Sequence, residues 1–174
     1  MRVYLIGYMG SGKTRLGMEL SVKTGYPFID TDELFVEKYR ISIVDFFEKY
    51  NEVTFRKLER DLLLETIKYP DAIISTGGGT PCFHDNMDFI RKNGISIYLK
   101  MGIQSLVNRL VVVKKKRPLL KDKSLKEMES YIRGQIAERE IFYNQADFTV
   151  DAEKTDVMDV LNLLPDLPQL SNSL

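Results

Sequence analysis

Short apolar runs alternate along the chain with longer stretches in which apolar residues recur at helical spacing. Residues 3–6, 28–29, 72–74, 95–99 and 148–150 are rich in β-branched or aromatic side chains and bounded by Gly, Pro or Asp, and are expected as strands. Helical spacing covers 13–23, closed by Gly25; 32–39; 43–50; 52–68, closed by Pro70; 85–93, closed by Gly94; 103–111; 125–146; and 156–164. Strands separated by helices of these lengths describe a parallel sheet with crossover helices, so the fold class expected is α/β in three layers on five strands. No internal repeat or low-complexity block interrupts the pattern. Residues 1–164 are read as a single domain, whereas 165–174, with Pro165, Pro168 and little periodicity, are expected to form a frayed tail.

Composition narrows the range of partners. The 174 residues, 44% hydrophobic, suffice for one domain with a core, and the 25 Lys+Arg balance the 25 Asp+Glu. A balanced chain exerts no global pull on nucleic acid or an anionic membrane, so an anionic ligand must be held by a local cluster of charge. Apolar runs such as Leu62-Leu63-Leu64 are far shorter than the roughly 20 residues of a membrane span. The stretch after Met1 lacks the length and cleavage site of a secretory signal. A single cysteine, Cys82, excludes an intrachain disulfide, and with a single histidine, His84, it makes a zinc cage improbable. A cytoplasmic protein is expected, and without an evident interface signal, a monomer.

The sharpest motif is Gly7-Tyr8-Met9-Gly10-Ser11-Gly12-Lys13-Thr14, which fits the P-loop pattern G-x-x-x-x-G-K-S/T between the first expected strand and the first expected helix. Glycines let the backbone of Gly10, Ser11 and Gly12 wrap a phosphate, Lys13 supplies a mobile cation and Thr14 a hydroxyl for Mg²⁺. Nucleotide binding follows, though the P-loop alone does not say what the nucleotide is for. The strand at 72–74 runs into Ser75-Thr76-Gly77-Gly78-Gly79 without an acid, so Asp30, in Phe28-Ile29-Asp30-Thr31-Asp32, is the candidate beside Thr14 on the Mg²⁺ side. The alternative is that Asp30 and Asp32 merely cap the next helix. Arg56 and Glu59 share one face of an amphipathic helix and, taken alone, read as a surface ion pair. Tyr8 and Met9 read as filler, and Cys82 as a small hydrophobe with no catalytic partners.

Set in order, the P-loop, Ser42-Ile43-Val44-Asp45-Phe46-Phe47, Phe55-Arg56-x-x-Glu59, Thr76-Gly77-Gly78-Gly79, Arg117-Pro118-Leu119-Leu120 and Arg139-x-x-x-Tyr143 resemble shikimate kinase from the P-loop to about Asp151. The resemblance implies a P-loop fold of the nucleoside-monophosphate-kinase-like group, with strand order 2-3-1-4-5 and a mobile lid at about 112–123. It implies transfer of the γ-phosphate of ATP to the 3-hydroxyl of shikimate, on the route to chorismate. Asp32 would hold the ring hydroxyls, and Arg56 and Arg139 would clamp the carboxylate. Gly77, Gly78 and Gly79 would bring backbone N–H groups to the ring, Phe47 and Phe55 would wall it, and Glu59 would orient Arg56. Lys13, Asp32 and Arg117 would carry the catalysis, with Arg117 arriving from the lid, and Arg109 resembles an arginine that packs on adenine.

The needs of such an acceptor agree: a planar cation for the carboxylate and a carboxylate for the hydroxyls. Another small-acceptor kinase, of the gluconate or nucleoside-monophosphate kind, and a nucleotide-gated binding protein without turnover are the competing readings. The chain departs from the family at Asn51, where glycine is usual and where Asn would tolerate a positive φ. It departs again at 110–116, a residue longer than usual and without glycine, which would displace Arg109.

Overall fold

The computed structural model describes residues 1–113 and 124–170. Arg117, most of the expected lid and residues 171–174 lie outside the described residues. Among those described, five strands form one parallel sheet: β1 (Arg2–Ile6), β2 (Phe28–Asp30), β3 (Ala72–Ser75), β4 (Ile95–Lys100) and β5 (Phe148–Asp151), in the order β2-β3-β1-β4-β5. The described α-helices connect and cover them: α1 (Lys13–Thr24), α2 (Thr31–Tyr39), α3 (Ile43–Lys49), α4 (Glu52–Glu65), α5 (Asn86–Asn93), α6 (Ile103–Val113), α7 (Leu125–Tyr143) and α8 (Val157–Leu163).

Side chains alternate across each strand, and this divides the core in two. Val3, Leu5, Ile73, Ile97 and Leu99 pack against Leu16 and Leu20 of α1 and Val160 and Leu161 of α8. On the other face Tyr4, Ile6, Ile74 and Tyr98 meet Leu63 of α4, Met87 and Ile90 of α5 and Tyr143 of α7. The three-layer α/β expectation and the strand order are therefore met. A separate nucleus lies beside the sheet, where Phe35, Phe46 and Phe55 bring α2, α3 and α4 together; the Phe35 and Phe46 rings meet edge-on at 5.2 Å between centroids. That small aromatic core fixes the helix that carries Arg56.

Three expectations need correcting. Helix α4 ends at Glu65 rather than 68, because the buried Thr66 hydroxyl turns back to the Leu63 carbonyl at 2.6 Å and the chain tightens into a 3-10 turn. Asn51 needs no positive φ: its backbone is extended (φ −91°) and its amide oxygen caps α4 by accepting the Thr54 N–H at 2.9 Å. The described part of the tail, 165–170, is not frayed. Leu167 is buried in the core with α1 and α8, and the Leu170 N–H donates to the Lys23 carbonyl at 2.8 Å. Prolines there end the helix without releasing the chain, since Leu167 still finds apolar cover and Leu170 is held by its backbone N–H. No helix among the described residues is long and apolar enough to cross a membrane.

Candidate active site

In a parallel sheet every strand delivers its carboxyl end to the same edge, and here that edge gathers the motifs. Leu5 pairs with Ser75 and Ser75 with Asp30, so the P-loop after β1, the glycines after β3 and the Asp30–Asp32 turn after β2 emerge side by side. Gly10 and Gly12 sit at φ 82° and 100°, backbone that side-chain-bearing residues rarely adopt. The loop they form opens directly into α1.

Lys13 is 8% exposed and lies over this loop, its Nζ donating to the Gly7 and Tyr8 carbonyls at 2.9 and 3.1 Å. The Thr14 hydroxyl donates to Asp30 Oδ2 at 3.0 Å, while Asp30 Oδ1 accepts the Asp32 N–H at 3.0 Å. One carboxylate oxygen of Asp30 thus caps α2 and the other faces the threonine. The Ser11 hydroxyl is buried without a hydrogen-bond partner. Arg109 donates to the Gly10 carbonyl at 3.2 Å, which sets its guanidinium against the P-loop backbone.

Asp32, Glu59 and Arg56 crowd two of the three glycines, and the P-loop backbone crowds the third. A methyl group built on Gly77 would stand 2.9 Å from the Asp32 carboxylate and 2.7 Å from that of Glu59; one on Gly79 would stand 2.7 Å from the Arg56 guanidinium. Side chains at either position would displace these groups, so the glycines are there for close approach. Arg56 and Glu59 do not form the surface pair that spacing alone suggests. Their side chains are 12% and 5% exposed, joined at 2.9 Å, and Glu59 also accepts the Thr80 hydroxyl at 2.7 Å. Glu52 holds the other edge of the Arg56 guanidinium at 2.9 Å. Replacing Glu59 by Ala should cost about 3 kcal/mol, because it leaves a desolvated cation short of its partner. In a chain of this size that is a fall in Tm on the order of 10 °C, readable by calorimetry; an unchanged Tm would contradict the burial argument.

Phe55 is buried, whereas Phe47 is 39% exposed and stacks on it with ring centroids 4.6 Å apart. Arg139, half-buried on α7, lies with its guanidinium 5.4 Å from the Tyr8 ring centroid, so Tyr8 is a platform rather than filler. Two further contacts escaped the sequence reading. Phe83 lies against Arg56, guanidinium carbon to ring centroid 4.0 Å, and no motif marks it. The Tyr143 hydroxyl donates to the Gly78 carbonyl, and the only signal for it was its place four residues after Arg139. Cys82 stands within the electrostatic reach of both Arg139 and Arg56. Burial nevertheless pushes its thiol up to about 11, so it stays protonated near neutral pH and is no nucleophile.

The cleft thus joins a P-loop with its lysine, a hydroxyl–carboxylate pair, two guanidiniums, a further carboxylate and a run of three glycines, of which Gly77 and Gly79 are buried and Gly78 partly buried. Known proteins share this frame. A family model described as shikimate kinase matches residues 9–166. Curated shikimate kinases from Parabacteroides distasonis and Azobacteroides pseudotrichonymphae are 42% and 43% identical to the chain, covering 94% of it and 96% and 98% of their own lengths. The crystal structure of the shikimate kinase from Bacteroides thetaiotaomicron superposes with a TM-score of 0.90 at 35% identity, over 95% of this chain and 98% of that one. That of the Acinetobacter baumannii enzyme in complex with shikimate gives 0.84 at 30% identity, over 95% and 91%. Fold, cleft and sequence agree, and the chain belongs to the shikimate kinase family.

Proposed function

We propose that this protein transfers the γ-phosphoryl group of ATP to the 3-hydroxyl of shikimate, releasing ADP and shikimate 3-phosphate. The observation that carries the reading is the approach of Asp32 to Gly77 and of Arg56 to Gly79, with Arg139 over the Tyr8 ring of the neighbouring P-loop. A ring bearing one carboxylate and several hydroxyls asks for such a set: planar cations on one side, an acceptor on the other. In this reading the two arginines take the carboxylate, Asp32 takes the ring hydroxyls, and the backbone of Gly77, Gly78 and Gly79 lies along the ring. Phe47 supplies the open apolar wall and Phe55 supports it from behind. Glu59 keeps Arg56 aligned.

The acceptor oxygen forms a bond to the γ-phosphorus as the bond from phosphorus to the β,γ-bridging oxygen breaks, and the hydroxyl proton leaves toward Asp32 or solvent. Such transfer needs alignment and charge neutralisation more than covalent help. The P-loop amides of Gly10, Ser11 and Gly12 wrap the phosphates, Lys13 meets the charge on the transferring group, and Arg109 borders the nucleotide side. Arg117 is given the second cationic role on its Arg-Pro-Leu-Leu context. Thr14 and Asp30 present oxygen donors 3.0 Å apart, hard ligands that suit Mg²⁺, an ion that takes much of its shell from phosphate and water. When bound there, Mg²⁺ supplies charge neutralisation at the β- and γ-phosphates. A cytoplasmic monomer is the accompanying expectation.

ADP release measured in parallel with shikimate, gluconate and nucleoside monophosphates tests the reading; release with shikimate alone is expected. Release that ignores every acceptor would reduce the protein to an ATPase. The clamp has its own test. Arg56→Lys keeps a cation beside Glu59 but loses the planar fork, and should raise the KM for shikimate about tenfold with the KM for ATP nearly unchanged. Equal rises would count against it.

A further inference from the structure

Three consecutive glycines are the costliest stretch of backbone to hold in one conformation, so what holds them bears on what they bind. Gly77 and Gly79 are fixed locally: their carbonyls accept the Thr80 and Cys82 N–H groups at 3.1 and 2.9 Å, and the Gly77 N–H donates to the Thr31 hydroxyl at 3.0 Å. The carbonyl of Gly78 is fixed from far away in sequence, by the hydroxyl of Tyr143. Tyr143 is the last residue of α7 and lies one turn beyond Arg139. Its ring is fully buried and packs on Tyr98 with centroids 5.0 Å apart.

We propose that Tyr143 is a positioning residue, whose hydroxyl locks the Gly78–Gly79 peptide to α7 and so couples the glycine loop to the Arg139 arm of the acceptor site. The proposal rests on the functional reading above. A phenol has one proton to donate. With that proton directed at Gly78, the oxygen presents lone pairs, and a guanidinium, which has only donors, is its fitting neighbour. Arg139 acts on this phenol and on Cys82 beside it. Burial raises the Tyr143 phenol well above its ordinary value, with Cys82 adding to the shift and Arg139 opposing it, so the donating proton persists across the working pH range.

The geometry reaches the ligand side through the peptide plane. The described peptide bonds are all trans, so a carbonyl turned toward α7 sets the next N–H, that of Gly79, pointing the opposite way. Fixing that plane also fixes ψ of Gly78, and with it the orientation of the neighbouring peptide. A carboxylate clamp and a backbone cradle that must recognise one small ring are thereby set by a single rigid helix turn. Neither Arg139 nor the glycines needs to find its place independently.

Tyr143→Phe removes the hydroxyl and keeps the ring. Tyr98→Phe removes a hydroxyl from the partner ring in the same cluster and serves as the control. The expected result is a KM for shikimate raised about tenfold in Tyr143→Phe, with the KM for ATP within twofold of the parent, and neither constant moved in Tyr98→Phe. A shikimate KM within twofold of the parent would overturn the proposal. So would equal rises for both substrates, the same shift in Tyr98→Phe, or a Tyr143→Phe chain that does not fold, because each makes the hydroxyl a strut of the core. A parent protein that releases no ADP with shikimate would instead bring down the functional reading, and this proposal with it.

Discussion

Replacing Lys13 with Ala is expected to lower kcat by about a thousandfold, with little change in Tm. The ammonium stands over the P-loop between the Gly7 and Tyr8 carbonyls, almost out of solvent, where a charge acts through low dielectric. Phosphoryl transfer spreads negative charge over the moving group, and in the proposed function this desolvated cation exchanges its loop carbonyls for that charge. The side chain belongs to no apolar core cluster, so the fold should remain. Steady-state kinetics with circular dichroism checks both halves, and a kcat within tenfold of the parent would remove Lys13 from the catalytic set. The conservative change Lys13→Arg would be a poor rescue in any case, because a planar fork does not fit where a compact point charge sits.

Asp32→Asn should be nearly as damaging, lowering kcat by roughly a hundredfold or more. Asp32 sits on the first turn of α2, with its N–H tied to Asp30 and its carboxylate beside Gly77. Asn keeps the size and the backbone bond, so the loss isolates the charge to which the proposed function gives the acceptor hydroxyl and its proton. Removing an acid from a helix N-terminus costs stability of only about 0.5 kcal/mol, too little to confuse the kinetics. If kcat survived while the KM for shikimate rose, Asp32 would hold the ring without activating it.

Much of this is legible in the sequence alone. Short runs rich in β-branched and aromatic residues, separated by helical spacing, already describe a parallel sheet, and each observed strand extends the expected one by a single residue. The P-loop is legible because its chemistry is local: eight consecutive residues contain the turn, the cation and the hydroxyl. Arg56–Glu59 is not, since spacing along a helix gives a shared face without telling whether that face meets water or Thr80 and Phe83. Asn51 misleads in another way. Its side chain supports two backbone solutions, a positive φ or a cap, and the neighbouring helix start selects the second. Leu167 and Leu170 carry too little pattern to announce that they dock, because the cover of Leu167 and the carbonyl that holds the Leu170 N–H come largely from α1, near the opposite end of the chain. Tyr143 falls in the same class: a contact across 65 residues has no local signature.

The aromatic nucleus of Phe35, Phe46 and Phe55 stands apart from the two cores that clamp the sheet. Inheritance can therefore work on the two parts unequally. Substitutions among those rings would shift the helix that carries Arg56, yet leave the strands and the P-loop undisturbed. If the proposed function holds, a lineage can in this way exchange one acceptor for another without rebuilding its phosphate-handling machinery.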